Sequence, residues 1–235
     1  MEDCLRIAVA QIPVTTDARA NGREIRAAMR AAAGAGARLI QFPEGAASGY
    51  PSGAAKAMLA GWAVDWAALR EELEEIAALA AELSLWTVVG SSHALTAPNR
   101  PHNSLYVISD TGRLVARYDK RLLSFSELAD WYAPGAEPLV FEVDGFRFGC
   151  ALCIEIQFPE IFVEYARLGI DCLLLSSFSR DPMFAIQVQG HAACNAYWIG
   201  FAVPAQCGDA ASSGLAGPDG RWIAQAPQAA TRLLS

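Results

Sequence analysis

The stretch RFGCALCIEIQFPEIFVEYARLGIDCLLLS, residues 147–176, decides the fold class. It opens on Arg147–Cys153 and closes on Cys172–Ser176, two apolar runs of strand length. After Pro159 a helix runs to Leu168 between them. Strand, helix, strand is a βαβ unit, the crossover that two parallel strands require. Just upstream, Leu139–Val143 and Arg147–Cys153 flank Asp144-Gly145, a dipeptide suited to a tight primed turn, so this strand also closes a hairpin. Downstream come a helix Phe184–Asn195, a strand Tyr197–Val203 and a last hairpin, turned at Pro218-Asp219-Gly220, before Trp222–Ala226.

The N-terminal half repeats the alternation. Leu5–Gln11 reads as a strand, and Arg19–Ala33 as a helix with Ile25, Ala28, Met29 and Ala32 at helical spacing. Arg38–Phe42 is a strand stopped by Pro43. Trp66–Leu83 is the clearest helix, with Leu69, Leu73, Ile76, Ala80 and Leu83 on one face, and Leu85–Ser91 returns to strand. Ser104–Ser109 and Arg113–Asp119 flank Asp110-Thr111-Gly112, a further hairpin. With βαβ units at both ends and hairpins between, the chain reads as an α/β layered domain of mixed sheets covered by helices. No internal repeat, low-complexity tract or Ser/Gly linker divides residues 1–235, so a single domain is expected.

Composition narrows the function classes. The 235 residues are 53% hydrophobic and 18% charged, with mean hydropathy +0.22, which excludes a disordered chain and suits fully buried strands. No apolar run approaches the ~18 residues of a membrane span. A formal charge of -7 with no basic stripe argues against nucleic acid as partner. Met1-Glu2-Asp3-Cys4 opens acidic, unlike a secretion signal, so the six Cys read as reduced thiols of a cytoplasmic protein.

Standard catalytic motifs fail. There is no G-x-S-x-G elbow, P-loop or G-x-G-x-x-G after the first strand, and His93, His102 and His191 lack metal-ligand spacing. Cys150 and Cys153 form a C-x-x-C, but residues three apart on a strand point to opposite faces, which speaks against a shared metal or redox bridge.

Glu44, Lys120 and Cys153 are more informative, because each sits at or just past the end of an apolar strand. Layered α/β folds build their sites in the crevice beyond such ends. A thiol attacks a carbonyl or nitrile carbon as thiolate and needs a proton acceptor. A carboxylate in a dry pocket can serve, and a fixed ammonium stabilises the charge that develops on oxygen or nitrogen. The blander alternatives are a core thiol, a loop acid or helix cap, and a solvated lysine at a strand end.

Three blocks shift that balance: Leu39-Ile40-Gln41-Phe42-Pro43-Glu44, Arg117-Tyr118-Asp119-Lys120-Arg121-Leu122-Leu123, and Gly149 to Glu160 around Cys153. They resemble, in order, the signature blocks of the nitrilase superfamily, the carbon–nitrogen hydrolases. Ile7–Gln11, Asn103-Ser104-Leu105, Pro134-Gly135 and Ser213-Gly214 with Pro218-Asp219-Gly220 resemble further segments of that family, so the likeness covers nearly the whole chain. The resemblance implies a four-layer αββα sandwich of two mixed β-sheets flanked by helices, with Glu44 as general base, Lys120 as the cation at the tetrahedral intermediate and Cys153 as nucleophile. It implies the N–H of Ile154 in the oxyanion hole, and a second glutamate, best matched by Glu127 with Asp130 weaker. It implies no cofactor, no metal and association into a homodimer or larger homo-oligomer.

The chain departs from the family at Ile154-Glu155, at Cys194-Asn195 and at Ala202–Gln206, changes expected near the substrate pocket or the interface. Among aromatics, Tyr50, Trp131, Tyr132 and Phe178 are candidate pocket linings, Phe178 best placed because it follows the strand after the nucleophile block. The expected activity is hydrolysis of a small linear carboxamide to acid and ammonia. Nitrile or N-carbamoyl hydrolysis on the same triad, acyl transfer to an amine, and a silent binding subunit are the alternatives. Family members usually run longer, through another strand and a tail, whereas Thr231–Ser235 follows soon after the last hairpin, so the chain is expected to be short at its C-terminus.

Overall fold

The computed structural model describes residues 4–51 and 64–227, and the backbone of residues 232–234. The βαβ unit of the C-terminal half is present: β7 (Phe146–Leu152) and β8 (Cys172–Ser176) are parallel neighbours joined through α3 (Pro159–Arg167). The chain continues through α4 (Met183–Asn195) into β9 (Trp198–Ala202), parallel to β8. With β6 (Val140–Val143), β10 (Gly214–Ala216) and β11 (Trp222–Gln225), these strands form a six-stranded mixed sheet in the order β11-β10-β9-β8-β7-β6. The β6–β7 turn puts Asp144 at φ 50° and Gly145 at φ 88°, the paired left-handed residues of a primed turn.

The N-terminal half builds the second sheet. Strands β1 (Ile7–Gln11), β2 (Leu39–Gln41), β3 (Trp86–His93), β4 (His102–Ile108), β5 (Leu114–Asp119) and β12 (Arg232–Leu234) lie in the order β12-β1-β2-β3-β4-β5. Its edge strand β12 pairs antiparallel with β1. Helix α1 (Ala18–Gly34) starts at Asp17, whose carboxylate accepts from the N–H groups of Arg19 and Ala20. Helix α2 (Trp66–Leu83) is capped by Asp65 and ends at Ser84 in the left-handed conformation.

Three apolar layers follow from strand alternation. Ile25, Met29, Leu69 and Ile76 of α1 and α2 pack on Ala8, Ile40 and Val89 of the first sheet. Ile161, Phe162, Phe184 and Val188 of α3 and α4 pack on Leu173, Leu175 and Phe201 of the second. Between the sheets, Leu39, Val88, Leu105 and Val107 meet Phe148, Cys150, Leu152 and Leu174. The architecture is the four-layer αββα sandwich. Each fully buried large aliphatic in these layers contributes about 1.5–3 kcal/mol.

Two local features differ from the sequence reading. Cys153 does not close β7; it is the first residue of a 3₁₀ turn, Cys153–Gln157, with φ 48°. The apolar run hides this break, because the turn's own residues Ile154 and Ile156 are apolar too. Strand β12 is not among the strands read from the sequence; at three residues it gives almost no periodic signal.

Candidate active site

The C-terminal ends of β2, β5 and β7 deliver Glu44, Lys120 and Cys153 to one place. Glu44 lies in the turn after β2, where Gly45 has φ 65°. That turn packs so tightly on β3 that a Cβ at Gly90 would strike the Pro43 carbonyl oxygen and come within 2.9 Å of the Glu44 Cα. Lys120 follows β5, and its backbone N–H donates to the Asn103 carbonyl at 2.8 Å. Glu127 opens a short π-helical turn, Glu127–Trp131, and reaches back inward.

Glu44, Lys120 and Glu127 are fully buried. Lys120 Nζ donates to Glu44 Oε1 at 3.0 Å and to Glu127 Oε1 and Oε2 at 2.8 and 2.9 Å. Asn103 Nδ2 bridges the same carboxylates, at 2.8 Å to Glu44 Oε1 and 3.1 Å to Glu127 Oε1. The Tyr50 hydroxyl donates to Glu127 Oε1 at 3.0 Å and the Ser124 N–H to Glu127 Oε2 at 2.8 Å. Both oxygens of Glu127 are thus spoken for, while Glu44 Oε2 is buried without a hydrogen-bond partner among the described residues.

This asymmetry divides the roles of the carboxylates. Burial pushes Glu44 above the ordinary carboxylate range, and the neighbouring charge of Glu127 adds to it against the pull of Lys120. Burial acts on Glu127 in the same direction, but Lys120 and the Ser124 hydrogen bonds outweigh it and hold Glu127 below the ordinary range. Burial alone would lower Lys120; Glu44, Cys153 and Glu127 more than reverse this and keep it an ammonium. Cys153 is 8% exposed, and burial, then the charge of Glu44, push its thiol up to about 12. The resting site holds a neutral thiol, a fixed cation and a carboxylate with a proton affinity above the ordinary one.

Asp130 is exposed, so of the two acidic candidates in that loop only Glu127 joins the cluster. Ile154 is the second residue of the 3₁₀ turn, at whose start N–H groups have no partner within the turn. The ring of Tyr50 stacks on Phe178 at 5.3 Å and Tyr132 at 6.4 Å, and meets Trp131 edge-on at 6.5 Å. Cys150 lies in the layer between the sheets and Cys153 in the layer under α3 and α4, so the two thiols do point apart.

Glu155 was expected near the substrate pocket or the interface, and the structure turns it into the protein. Its buried carboxylate accepts from the Tyr118 hydroxyl at 2.8 Å and from the N–H groups of Arg121, Leu122 and Leu152 at 2.7, 3.1 and 2.7 Å. It ties the chain leaving Lys120 to the residue before Cys153. Asn103 is the other residue whose place in the site the sequence reading did not foresee. Helix α4 carries His191, whose ring stacks on Phe162 at 3.7 Å and whose Nε2 lies 2.9 Å from the Ile156 carbonyl of the same 3₁₀ turn.

The family model for the carbon-nitrogen hydrolases matches residues 6–235. A Mycobacterium tuberculosis protein named as a hydrolase is 32% identical over 187 residues, 76% of this chain and 63% of its own length. An omega-amidase of Arabidopsis thaliana is 28% identical over 181 residues, covering 71% of this chain and 47% of that protein. The chain therefore spans less than two-thirds of the length of these relatives. Among solved structures, an amidase from Nesterenkonia sp. superposes with a TM-score of 0.85 at 22% identity, over 97% of this chain and 88% of that one. A mutant of that amidase carries the acetamide moiety of fluoroacetamide covalently on its active-site cysteine (TM-score 0.85, 21% identity, 97% and 88% coverage).

Proposed function

This chain belongs to the carbon–nitrogen hydrolase family, and we propose that it hydrolyses a small linear carboxamide to a carboxylic acid and ammonia through a thioester on Cys153. The observation that carries this reading is Glu44 Oε2, buried and without a partner among the described residues, in a cluster whose charge acts directly on the Cys153 thiol. An acceptor held ready in this way takes the thiol proton as sulfur bonds to the amide carbon. The carbonyl electron pair moves onto oxygen, where Lys120 Nζ and the N–H of Ile154 stabilise it. Glu44 returns the proton to nitrogen, ammonia departs, and the acyl group stays on sulfur. Water then attacks the thioester with Glu44 again as base, releasing the acid and restoring the thiol.

Glu127 is the positioning group in this scheme. Its ion pair with Lys120 fixes the cation, and its lowered proton affinity keeps it from competing with Glu44. The ring wall of Tyr50, Tyr132 and Phe178 favours a small, uncharged acyl group. Exposed Val163, Met183 and Ile186 on α3 and α4 support self-association across the second helical layer.

Ammonia release from short-chain amides, matching nitriles and N-carbamoyl amines tests the reading. Amides are expected to turn over at least about tenfold faster than the other classes. Faster nitrile or N-carbamoyl turnover would replace the amide assignment. No ammonia from any of them, with the protein folded, would favour a binding subunit.

A further inference from the structure

Ser177 is the buried polar side chain next to the nucleophile that the mechanism above leaves unused. Strands β7 and β8 are parallel and in register, with Leu152 opposite Ser176. Just past that last pair Cys153 begins the 3₁₀ turn and Ser177 leaves β8, and the Ser177 hydroxyl is within reach of the Cys153 sulfur. Alternation fixes the faces. Ser176 Oγ donates to the Phe42 carbonyl at 2.7 Å and accepts from Gln41 Nε2 at 3.2 Å, so it points into the layer between the sheets. Leu152 lies in that same layer. Ser177, the next residue, therefore points to the opposite face, where Cys153 packs.

The Ser177 hydroxyl is fully buried and, among the described residues, makes no aligned hydrogen bond in the resting site. Its backbone is satisfied independently, with its N–H donating to the Ala202 carbonyl at 2.8 Å. A buried hydroxyl left open in this way is costly, and an Ala at this strand end would avoid the cost. It lies close enough to the Cys153 sulfur to favour the thiolate, as does the N–H of Phe178.

We propose that the Ser177 hydroxyl is a further catalytic group, which donates a hydrogen bond to the Cys153 sulfur as that sulfur becomes a thiolate. The proposal rests on Cys153 being the nucleophile. The thiol proton still goes to Glu44 Oε2, the new bond is still sulfur to carbon, and Ser177 keeps its own proton throughout. A neutral thiol is a weak acceptor and rewards the hydroxyl little, whereas a thiolate rewards it strongly. The contact is thus strongest when negative charge stands on sulfur, the moment at which Cys153 is poised to attack. When the acyl group is in place the sulfur again becomes a weak acceptor, and the hydroxyl releases it. The N–H of Phe178 does the same from the backbone, which assigns Phe178 a main-chain role beside its ring contact with Tyr50.

Alkylation of Cys153 by chloroacetamide across pH, quantified on the Cys153 peptide, separates this from a structural role. Ser177→Ala is expected to slow alkylation at neutral pH by roughly tenfold and to move the profile alkaline by about one pH unit. Ser177→Thr, which keeps the hydroxyl, is expected to restore most of the rate, with thermal melts of both variants recording the fold. The same tenfold loss is expected in kcat with the preferred amide, with KM little changed. A Ser177→Ala profile matching wild type would overturn the proposal. So would a change confined to KM, which would make Ser177 a substrate contact. So would a loss that Ser177→Thr fails to restore in a folded protein. If Cys153 itself reacts no faster than the exposed Cys4 and Cys194, the nucleophile assignment fails instead, and the two failures are told apart.

Discussion

Replacing Glu155 by Gln tests how the site is braced. The carboxylate is surrounded only by donors: the Tyr118 hydroxyl and the N–H groups of Arg121, Leu122 and Leu152. Such a set calls for an ionised acceptor, although burial, its largest influence, pushes the Glu155 carboxyl above the ordinary range. A glutamine keeps one oxygen, which at the Oε1 position still serves Arg121, Leu122 and Tyr118, and turns its NH₂ toward the Leu152 N–H. Two buried donors, that N–H and the new NH₂, then face each other unsatisfied, at about 1–3 kcal/mol each. Relief from burying a charge returns part of that, leaving a net loss of about 2–4 kcal/mol. For a chain of this length that is a fall in Tm of roughly 5–15 °C, within the reserve of an ordinary domain. Urea unfolding monitored by circular dichroism measures it, with turnover read in parallel because the brace joins the Lys120 and Cys153 segments. A Gln variant within about 0.5 kcal/mol of wild type would refute the reasoning, since it would mean that the carboxyl is neutral and never held four donors.

Further predictions follow from the same geometry. Glu44 must be ionised to accept a proton, so activity is lost as pH falls through its raised pKa, and the acid limb of kcat/KM is expected above the ordinary ~4.3 of glutamate. Glu127→Gln removes a charge that raises Glu44 and leaves Lys120 to pair with Glu44 alone, so the limb is expected to move to lower pH while kcat falls; a limb that stays or rises would contradict the electrostatics. Tyr50→Phe removes one hydrogen bond to Glu127 and is expected to cost roughly tenfold in kcat/KM, measured by ammonia release. Arg38 joins Asp144 of the β6–β7 turn to Asp110 at 2.7 and 3.1 Å, but these groups are partly exposed. Arg38→Ala is therefore expected to lower stability by only about 1 kcal/mol, less at high salt, in a melt series against ionic strength.

Much of this was legible in the sequence for physical reasons. Helix α2 carries an unbroken apolar face and starts at a capping Asp, so its bounds, Trp66–Leu83, were read as they stand. The β6–β7 hairpin was fixed by a dipeptide that supplies both left-handed residues. The positions of Glu44 and Lys120 were visible because strands end at recognisable signals. Asn103 was not. It faces Lys120 across the β4–β5 hairpin, but a bulge between Val107 and Ile108 leaves Val115 without a partner and shifts the register by one. Counting back from the turn at Asp110-Thr111-Gly112 would have put Asn103 opposite Asp119. Glu155 was legible only as a residue near the pocket or the interface, because in sequence it stands two residues after Cys153. Only the 3₁₀ turn at Cys153 shows that it faces backbone donors. Ser177 gives no signal in sequence beyond strand alternation, since its meaning depends on which strand lies beside it.

The central assignment is a covalent acyl-enzyme on Cys153, and intact-mass spectrometry tests it most directly. The wild type and Cys153→Ala are exposed to the same panel of small amides, nitriles and N-carbamoyl compounds, then quenched in acid. A mass increase equal to the acyl group of the preferred amide is expected on the wild type, located on the Cys153 peptide and absent from Cys153→Ala. An adduct that persists in Cys153→Ala, or ammonia release that survives the substitution, would contradict it.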